Sequence, residues 1–262
     1  MMRCALVTLT TFALLTGCAA SSSQLGSVTR PIATRVVTHV VTHDAKLIGS
    51  AVGGVRVVIR DATTDRVLAE GRHDGSTGDT KRIMLDLRKR GDTTFTTADG
   101  ARYEASLSIS APTMVEIAVE GPLGYPDQLA RASKQLLVLP GRDIGGDGIV
   151  LELHGFIIDL VSPDTTQALP ASSTLTVRAR VRMLCSCPTQ PGGMWDVRDV
   201  TARLVRDNVV VRGVQLAYAG EPSMYTGVIA SVDPGVYVLE VLAASPVSAT
   251  FGIVRRRVTI AK

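Results

Sequence analysis

Short runs rich in Val, Ile and Thr recur along most of this 262-residue chain, and each run is bounded by Gly, Pro, Asp or Asn. β-Branched side chains favour extended backbone because they lose rotational freedom in a helix. The runs include TRVVTHVVTH, GVRVVIRDA, TLTVRARV and GVYVLEVL. Their turn signals recur about every ten residues, which is typical of antiparallel sandwiches. Together with the chain length, this pattern predicts an all-β fold of two antiparallel β-sandwich domains.

One segment departs from the strand pattern. YPDQLARASKQ, residues 125–135, places several good helix formers after Pro126 and Asp127. Proline suits the first turn of a helix because that turn leaves N–H groups unpaired, and an acidic residue there interacts favourably with the helix dipole. We therefore expect one short helix in this segment.

The N-terminus has the features of a targeting signal. Arg3 precedes the apolar run ALVTLTTFALL, which is too short to span a bilayer and ends in LTGC, residues 15–18. This ending resembles the lipobox of bacterial lipoproteins. The resemblance implies cleavage before Cys18 and acylation of that cysteine. Ala19 then implies anchoring at the periplasmic face of the outer membrane, where the mature chain meets an oxidising compartment.

The sequence divides into four parts. Residues 1–17 are the expected signal peptide, and residues 18–34 are small and polar enough for a flexible tether. Residues 35–155 contain GGVRVVIRDATTDRVLAEGRHDGSTGDT, which resembles the start of a transthyretin-like or carboxypeptidase-regulatory-like sandwich. Residues 156–262 contain LVSPDTTQALPASSTLTVRARV and MYTGVIASVDPGVYVLEVLAA, which resemble the opening and the closing hairpin of a bacterial immunoglobulin-like domain.

The stretch TVRARVRMLCSC suggests chemistry at the end of a strand. Alternation places Met183, Cys185 and Cys187 on one face of the strand and the arginines on the other. Three interpretations stay open: ordinary core residues, a disulfide, or a Cu(I) site that Met194 completes. A disulfide requires a tight turn, because an extended Cys-x-Cys exceeds the usual Cα separation for a bridge.

The turn-rich segment that follows is a candidate partner-binding loop. Pro188, Pro191 and Trp195 lie in or beside CPTQPGGMWD, and an exposed tryptophan flanked by glycines would suit an anchor for another protein. The alternative is that Trp195 folds back onto the sandwich. The basic clusters RKR and RRR suit exposed edges or contact with anionic lipid or polysaccharide. No aromatic interleaving supports a nucleic-acid partner.

The four histidines do not form a recognisable site in the sequence. His39 and His43 are spaced for chelation on a helix, but RVVTHVVTH favours a strand, where the two rings stand about 13 Å apart. We expect these two, and also His73 and His154, to be satisfied surface or core residues.

Motifs for calcium binding and for catalysis are missing from the sequence. The acidic residues in DGSTGD and GRDIGGDG lack the spacing of a calcium loop and suit turns instead. No nucleophile elbow, zinc-protease helix or phosphate loop occurs. The sequence therefore favours a non-catalytic envelope lipoprotein that binds or scaffolds an envelope protein without a cofactor. The alternative is a periplasmic copper-handling lipoprotein.

Overall fold

Strands dominate the computed structural model, which describes residues 30–170, 174–230 and 232–261. The predicted signal peptide, Cys18 and most of the tether lie outside these residues. The strands are β1 Ile32–Thr42, β2 Val55–Asp61, β3 Val67–His73, β4 Tyr103–Ile109, β5 Thr113–Gly121, β6 Ala130–Val138, β7 Ile144–Leu153, β8 Phe156–Ser162, β9 Thr174–Met183, β10 Asp199–Arg206, β11 Val209–Gln215, β12 Ala217–Tyr218, β13 Met224–Ala230, β14 Gly235–Ser245 and β15 Thr250–Ile260. Helical turns occur at Ser50–Val52, Lys81–Leu85 and Pro246–Ser248. Within the described ranges, no helix is long and apolar enough to cross a bilayer.

The first sandwich consists of sheet β4-β1-β7 and sheet β3-β2-β5-β6. β4 and β5 alternate, as β5 illustrates: Val115, Ile117 and Val119 are buried while Glu116 and Glu120 are not. The central strand β1 is instead buried on both faces from Val36 to Thr42. Inward aliphatic side chains from both sheets form one core. Burial of each such side chain contributes about 1.5–3 kcal/mol.

The second sandwich consists of sheet β12-β13-β9-β8 and sheet β11-β10-β14-β15. Its core is formed by alternate residues of strands from both sheets, including Val177 and Val181 of β9 and Leu239 and Val241 of β14. The predicted all-β, antiparallel sandwich fold is thus confirmed by the sheets of the chain itself.

One strand pair is an exception to the antiparallel rule. β1 runs parallel to β7, although more than a hundred residues separate their starting points. A parallel pair places both carboxyl-terminal ends at the same edge of the sheet. The turn after β1 and the turn after β7 are therefore neighbours.

The two sandwiches pack against each other, and Pro31–Lys262 forms one compact unit. β8 contributes to both cores, with Phe156 in the second and Ile157 in the first. Polar contacts add to this junction: the Arg182 guanidinium lies 2.7 Å from an Asp159 carboxylate oxygen and 2.6 Å from the Tyr125 hydroxyl. The division at residues 155 and 156 into separate domains stays a prediction.

The expected helix at residues 125–135 is wrong. This segment forms a turn and then enters β6, which pairs with β5. The Gln128 amide donates to the Ile158 carbonyl at 3.1 Å and accepts from the Ile158 N–H at 2.7 Å. Pairing with β5 and these contacts to the other sandwich outweigh the local helix propensity, since strand preference depends on tertiary context.

The RRR cluster lies on β15 and is largely engaged within the fold. Glu240 is buried between Arg255 Nε at 2.7 Å and Arg203 Nε at 2.6 Å. Burial alone would raise the pKa of Glu240, but the hydrogen bonds from Arg255 and Arg203 outweigh it and lower the pKa. Arg256 lies 2.7 Å from Asp127, in the loop before β6. These contacts connect strands and sandwiches, which gives two of the three arginines structural partners.

A buried histidine connects β1 to the segment before β2. His73 is fully buried, its Nε2 accepts from the Val40 N–H at 3.0 Å, and its Nδ1–H donates to the Ile48 carbonyl at 3.0 Å. This pairing requires the neutral ring, because only a neutral imidazole has an acceptor nitrogen. Burial, followed by the nearby His39, lowers the pKa of His73 to about 4.

The first prediction concerns acid stability. Unfolded His73 binds a proton near pH 6.5, whereas folded His73 stays neutral until about pH 4. His73 should therefore contribute fully to stability above pH 6.5 and lose about 3 kcal/mol of that contribution as the pH falls towards 4. His73→Gln retains a donor and an acceptor but does not titrate, so it should flatten this loss in urea unfolding measured at a series of pH values. An unchanged pH dependence in His73→Gln would contradict the assignment.

Candidate functional site

The predicted sulfur cluster lies in the second core. β9 ends at Met183, and Met183, Cys185 and Cys187 are all buried in that core. The expected strand does not continue to Cys187, because Ser186 adopts a left-handed conformation with φ of 67°. This tight turn brings the two cysteine Cα atoms to 5.3 Å, and the sulfurs form a disulfide. In this state neither sulfur is a thiolate that could bind Cu(I).

Met194 does not join the buried sulfur atoms. It is 48% exposed in the loop before β10, whereas Met183 is 6% exposed. The structure thus brings together three of the four residues proposed for copper and leaves the fourth in solvent.

Of the two alternatives for Trp195, the structure agrees with the tryptophan that folds back onto the sandwich and not with the exposed anchor. Its ring is partly buried against the second core, and its Nε1–H donates to the Asp44 carbonyl at 3.1 Å. Pro188 and Pro191 are exposed. The reason for the difference is the turn after β1, which reaches the second sandwich, buries Ala45 there and offers the indole an acceptor.

A groove of about 810 Å³ lies beside this turn. One side is formed by residues 41–45 and by Val150 and Glu152 of β7, and another by the segment from Ile83 to Phe95. Val247 and Ser248, in the turn between β14 and β15, complete the lining. The groove therefore combines parts of both sandwiches.

Two histidines and a carboxylate cluster at this groove. Glu152 is the second-last residue of β7, and His154 follows the strand directly. The parallel pairing of β1 with β7 places His43 beside both. His43 Nδ1 lies 3.0 Å from Glu152 Oε1, and the two imidazole rings stack at 4.1 Å between centroids. One nitrogen or oxygen from each residue lies within 4.8 Å of the others, which allows the set to bind a metal ion.

Hydrogen bonding constrains this cluster only in part. His154 Nδ1 lies 3.2 Å from the Ala249 carbonyl, which can only accept, so Nδ1 carries the proton and Nε2 has the free lone pair. His43 Nδ1 is buried and has no aligned hydrogen bond, despite its short distance to Glu152. His43 and Glu152 are thus close in space without forming a well-oriented hydrogen bond.

Asp147 positions one wall of the groove. It lies in a bulge of β7, where β1 residues Val36 and Thr38 pair with Ile144 and Ile149. Gly146 and Gly148 have φ of 63° and 55°, so glycine suits both positions flanking Asp147. The GGDG segment was expected to form a connecting turn, and it forms this bulge inside a strand instead.

The Asp147 carboxylate accepts from the backbone of the wall segment. The N–H groups of Phe95 and Thr96 lie 2.8 and 3.0 Å from Oδ1, and the N–H of Thr94 contacts Oδ2. Burial alone would raise the pKa of Asp147, but these hydrogen bonds outweigh it and lower the pKa. The carboxylate thereby fixes the backbone beside Phe95, whose ring lies under the Arg88 guanidinium.

The histidine cluster was missed in the sequence because its members are distant along the chain. His39 lies in β1 and His43 directly follows that strand. Each contacts a histidine that is distant in sequence, because His39 lies near His73 and His43 stacks on His154. The usable signal was Glu152-x-His154 at a strand end, since alternate residues share one face. Without knowledge that β1 pairs with β7, this signal could not be connected to His43.

No protein-family model matches the chain, and no curated protein sequence matches it. Among solved structures, an engineered protein is 24% identical over 45% of this chain and 22% of its own length, with a TM-score of 0.30. The fibronectin(III)-like modules of Clostridium thermocellum CbhA are 12% identical over 86% of this chain and 90% of theirs, with a TM-score of 0.29. Domains 4 and 5 of the S-layer protein SbsC are 9% identical over 88% of this chain and 99% of theirs, also with a TM-score of 0.29.

The second prediction concerns the wall of the groove. Asp147→Ala leaves three backbone N–H groups without their acceptor, so the free energy of unfolding should fall by about 2 kcal/mol. Amide hydrogen exchange at residues 94–96 should accelerate. Asp143→Ala is the matched control, because Asp143 accepts from the Arg35 N–H at an exposed position. Equal losses of stability in the two variants would argue against a special role for Asp147.

Proposed function

We propose that this protein is a lipid-anchored cell-envelope protein that binds another envelope protein and has no catalytic role. The proposed anchor is Cys18, on the basis of the LTGC signal, and the proposed location is the periplasmic face of the outer membrane. The observation that carries the binding role is the groove between the sandwiches, whose surroundings expose large apolar side chains. Large apolar side chains left exposed around a groove can mark a site for another protein.

The rim of the groove supports this role. Leu87 is 90% exposed in the segment that forms one wall, and Val247 is 93% exposed at the opposite turn. Residues 81–92 also carry five cationic side chains and two carboxylates. Apolar anchors beside positive charge suit a partner segment that has apolar side chains flanked by acidic residues. The predicted contact at Pro188, Pro191 and Trp195 is less favoured, because the indole is occupied by Asp44.

Copper handling is the weaker proposal. It requires two thiolates, and Cys185 and Cys187 are joined to each other. It also requires Met194 near the other sulfurs, although Met194 is exposed and Met183 is buried. Binding of an envelope protein requires neither change.

The third prediction tests the anchor. When the full-length chain is expressed in a Gram-negative bacterium with radiolabelled palmitate, it should incorporate label and fractionate with the outer membrane. Cys18→Ser should lose both properties, because the acyl chains supply the membrane affinity. Cys4→Ser is the matched control, since Cys4 lies in the predicted signal peptide and should have no effect. Retention of label in Cys18→Ser would exclude the proposed anchor.

The fourth prediction tests the groove in intact cells. A photo-reactive amino acid at position 87 or 247 should form the same single cross-linked adduct. The same amino acid at position 209 should not, although Val209 is 63% exposed on the edge strand β11. Lys89→Glu together with Arg90→Glu should strongly reduce the adduct, because charge reversal repels an acidic partner.

Two outcomes of this experiment would contradict the proposed role of the groove. The first is an equal adduct from position 209, which would indicate non-specific contact. The second is an adduct that charge reversal leaves unchanged, which would exclude an acidic partner segment.

A further inference from the structure

We propose that His43, Glu152 and His154 form a Zn²⁺ site. These three residues supply two imidazoles and one carboxylate, a ligand set that zinc uses when a fourth position stays open. Imidazole nitrogen favours zinc and similar transition metals over Mg²⁺ or Ca²⁺, which prefer oxygen ligands alone. This inference does not depend on the partner-binding role of the groove.

The chain brings the three ligands together before any ion binds. Their potential ligand atoms lie within 4.8 Å of one another, and His43 Nδ1 is already 3.0 Å from Glu152 Oε1. All three lie at the adjacent carboxyl ends of β1 and β7, which are fixed by the parallel pairing. The backbone therefore already places the three side chains within reach of one ion.

The surroundings of the histidines also fit metal binding. Nδ1–H of His154 donates to the Ala249 carbonyl, so this bond orients the ring and leaves Nε2 as a ligand atom. Histidines that bind metals commonly donate their other ring N–H to a carbonyl or carboxylate in this way. His43 Nδ1 is buried and lacks an aligned hydrogen bond, which is costly for a polar atom unless another partner, such as a metal ion, binds it.

The proposed site has one consequence for the groove. Three protein ligands leave a fourth position of tetrahedral zinc for water or for a ligand atom from a bound molecule. His43 and Glu152 both line the groove. An ion bound there would thus add a metal contact to whatever molecule occupies the groove.

The fifth prediction tests the site with zinc alone. The full-length chain is purified in detergent without a polyhistidine tag, treated with a chelator and titrated with Zn²⁺ by calorimetry in the absence of reductant. One Zn²⁺ should bind per chain, and elemental analysis after dialysis should recover it. Glu152→Gln and His154→Ala should each weaken binding at least tenfold, because loss of even an outer partner of a metal ligand costs about 10–100-fold.

Glu70→Gln is the matched control, because Glu70 is another exposed strand glutamate, paired with Arg56 at 2.8 Å, and its strand β3 belongs to the other sheet of the first sandwich from β1 and β7. It should bind Zn²⁺ like the unaltered chain. Zn²⁺ should also raise the thermal unfolding midpoint of the unaltered chain and of Glu70→Gln, but not that of Glu152→Gln.

Three results would overturn the zinc proposal. The unaltered chain could bind no Zn²⁺, the Glu152→Gln and His154→Ala variants could bind Zn²⁺ as tightly as the unaltered chain, or Glu70→Gln could weaken binding as much as they do. The cluster would then be an ordinary surface ion pair with a stacked neighbour. None of these results bears on the cross-linking experiment, so failure of the zinc site and failure of the partner groove can be told apart.

Discussion

Parallel pairing between β1 and β7 is the constraint on which the candidate site depends. In a sandwich whose other strand pairs are antiparallel, this pair alone, among the described strands, directs two carboxyl ends to one edge. Because of that direction, the turn after β1 lies beside the end of β7, and His43 meets Glu152 and His154. An antiparallel arrangement of the same two strands would place the residues at opposite edges of the sheet. The site is therefore a consequence of topology rather than of a local motif.

Buried and partly buried polar groups then determine the shape of the region. The glycine-flanked bulge in β7 exposes the Asp147 carboxylate to three N–H groups of the groove wall, and the Asp147 carbonyl accepts from His39 Nδ1 at 2.9 Å. His73 completes the adjacent network between β1 and the segment before β2. Buried polar groups of this kind are costly when unpaired, so each one selects a single arrangement of its neighbours. These hydrogen bonds hold the groove wall from Ile83 to Phe95 in place, although that segment belongs to no β-sheet.

The junction between the sandwiches provides the other side of the groove. β8 presents alternate residues to the two cores, Ala45 enters the second core, and Trp195 hydrogen bonds to the residue after His43. The segment with the two cysteines, for which the sequence left a Cu(I) site open, therefore has a structural role in this junction. Its disulfide closes the turn at the end of β9, and Leu184, within that turn, enters the first core.

The sequence by itself determined the strand-rich, two-sandwich architecture and the inward face of β9 up to Met183, because residue alternation and turn residues act over a few neighbouring positions. It also favoured a strand over a helix at the first two histidines for the same local reason. Tertiary structure alone decided that YPDQLARASKQ forms a turn and a strand, that GGDG forms a bulge, and that Trp195 is partly buried. Tertiary structure also decided which histidines meet. These outcomes arise from contacts between residues far apart in the chain, and the direction of pairing between distant strands leaves no mark in a local pattern of side chains.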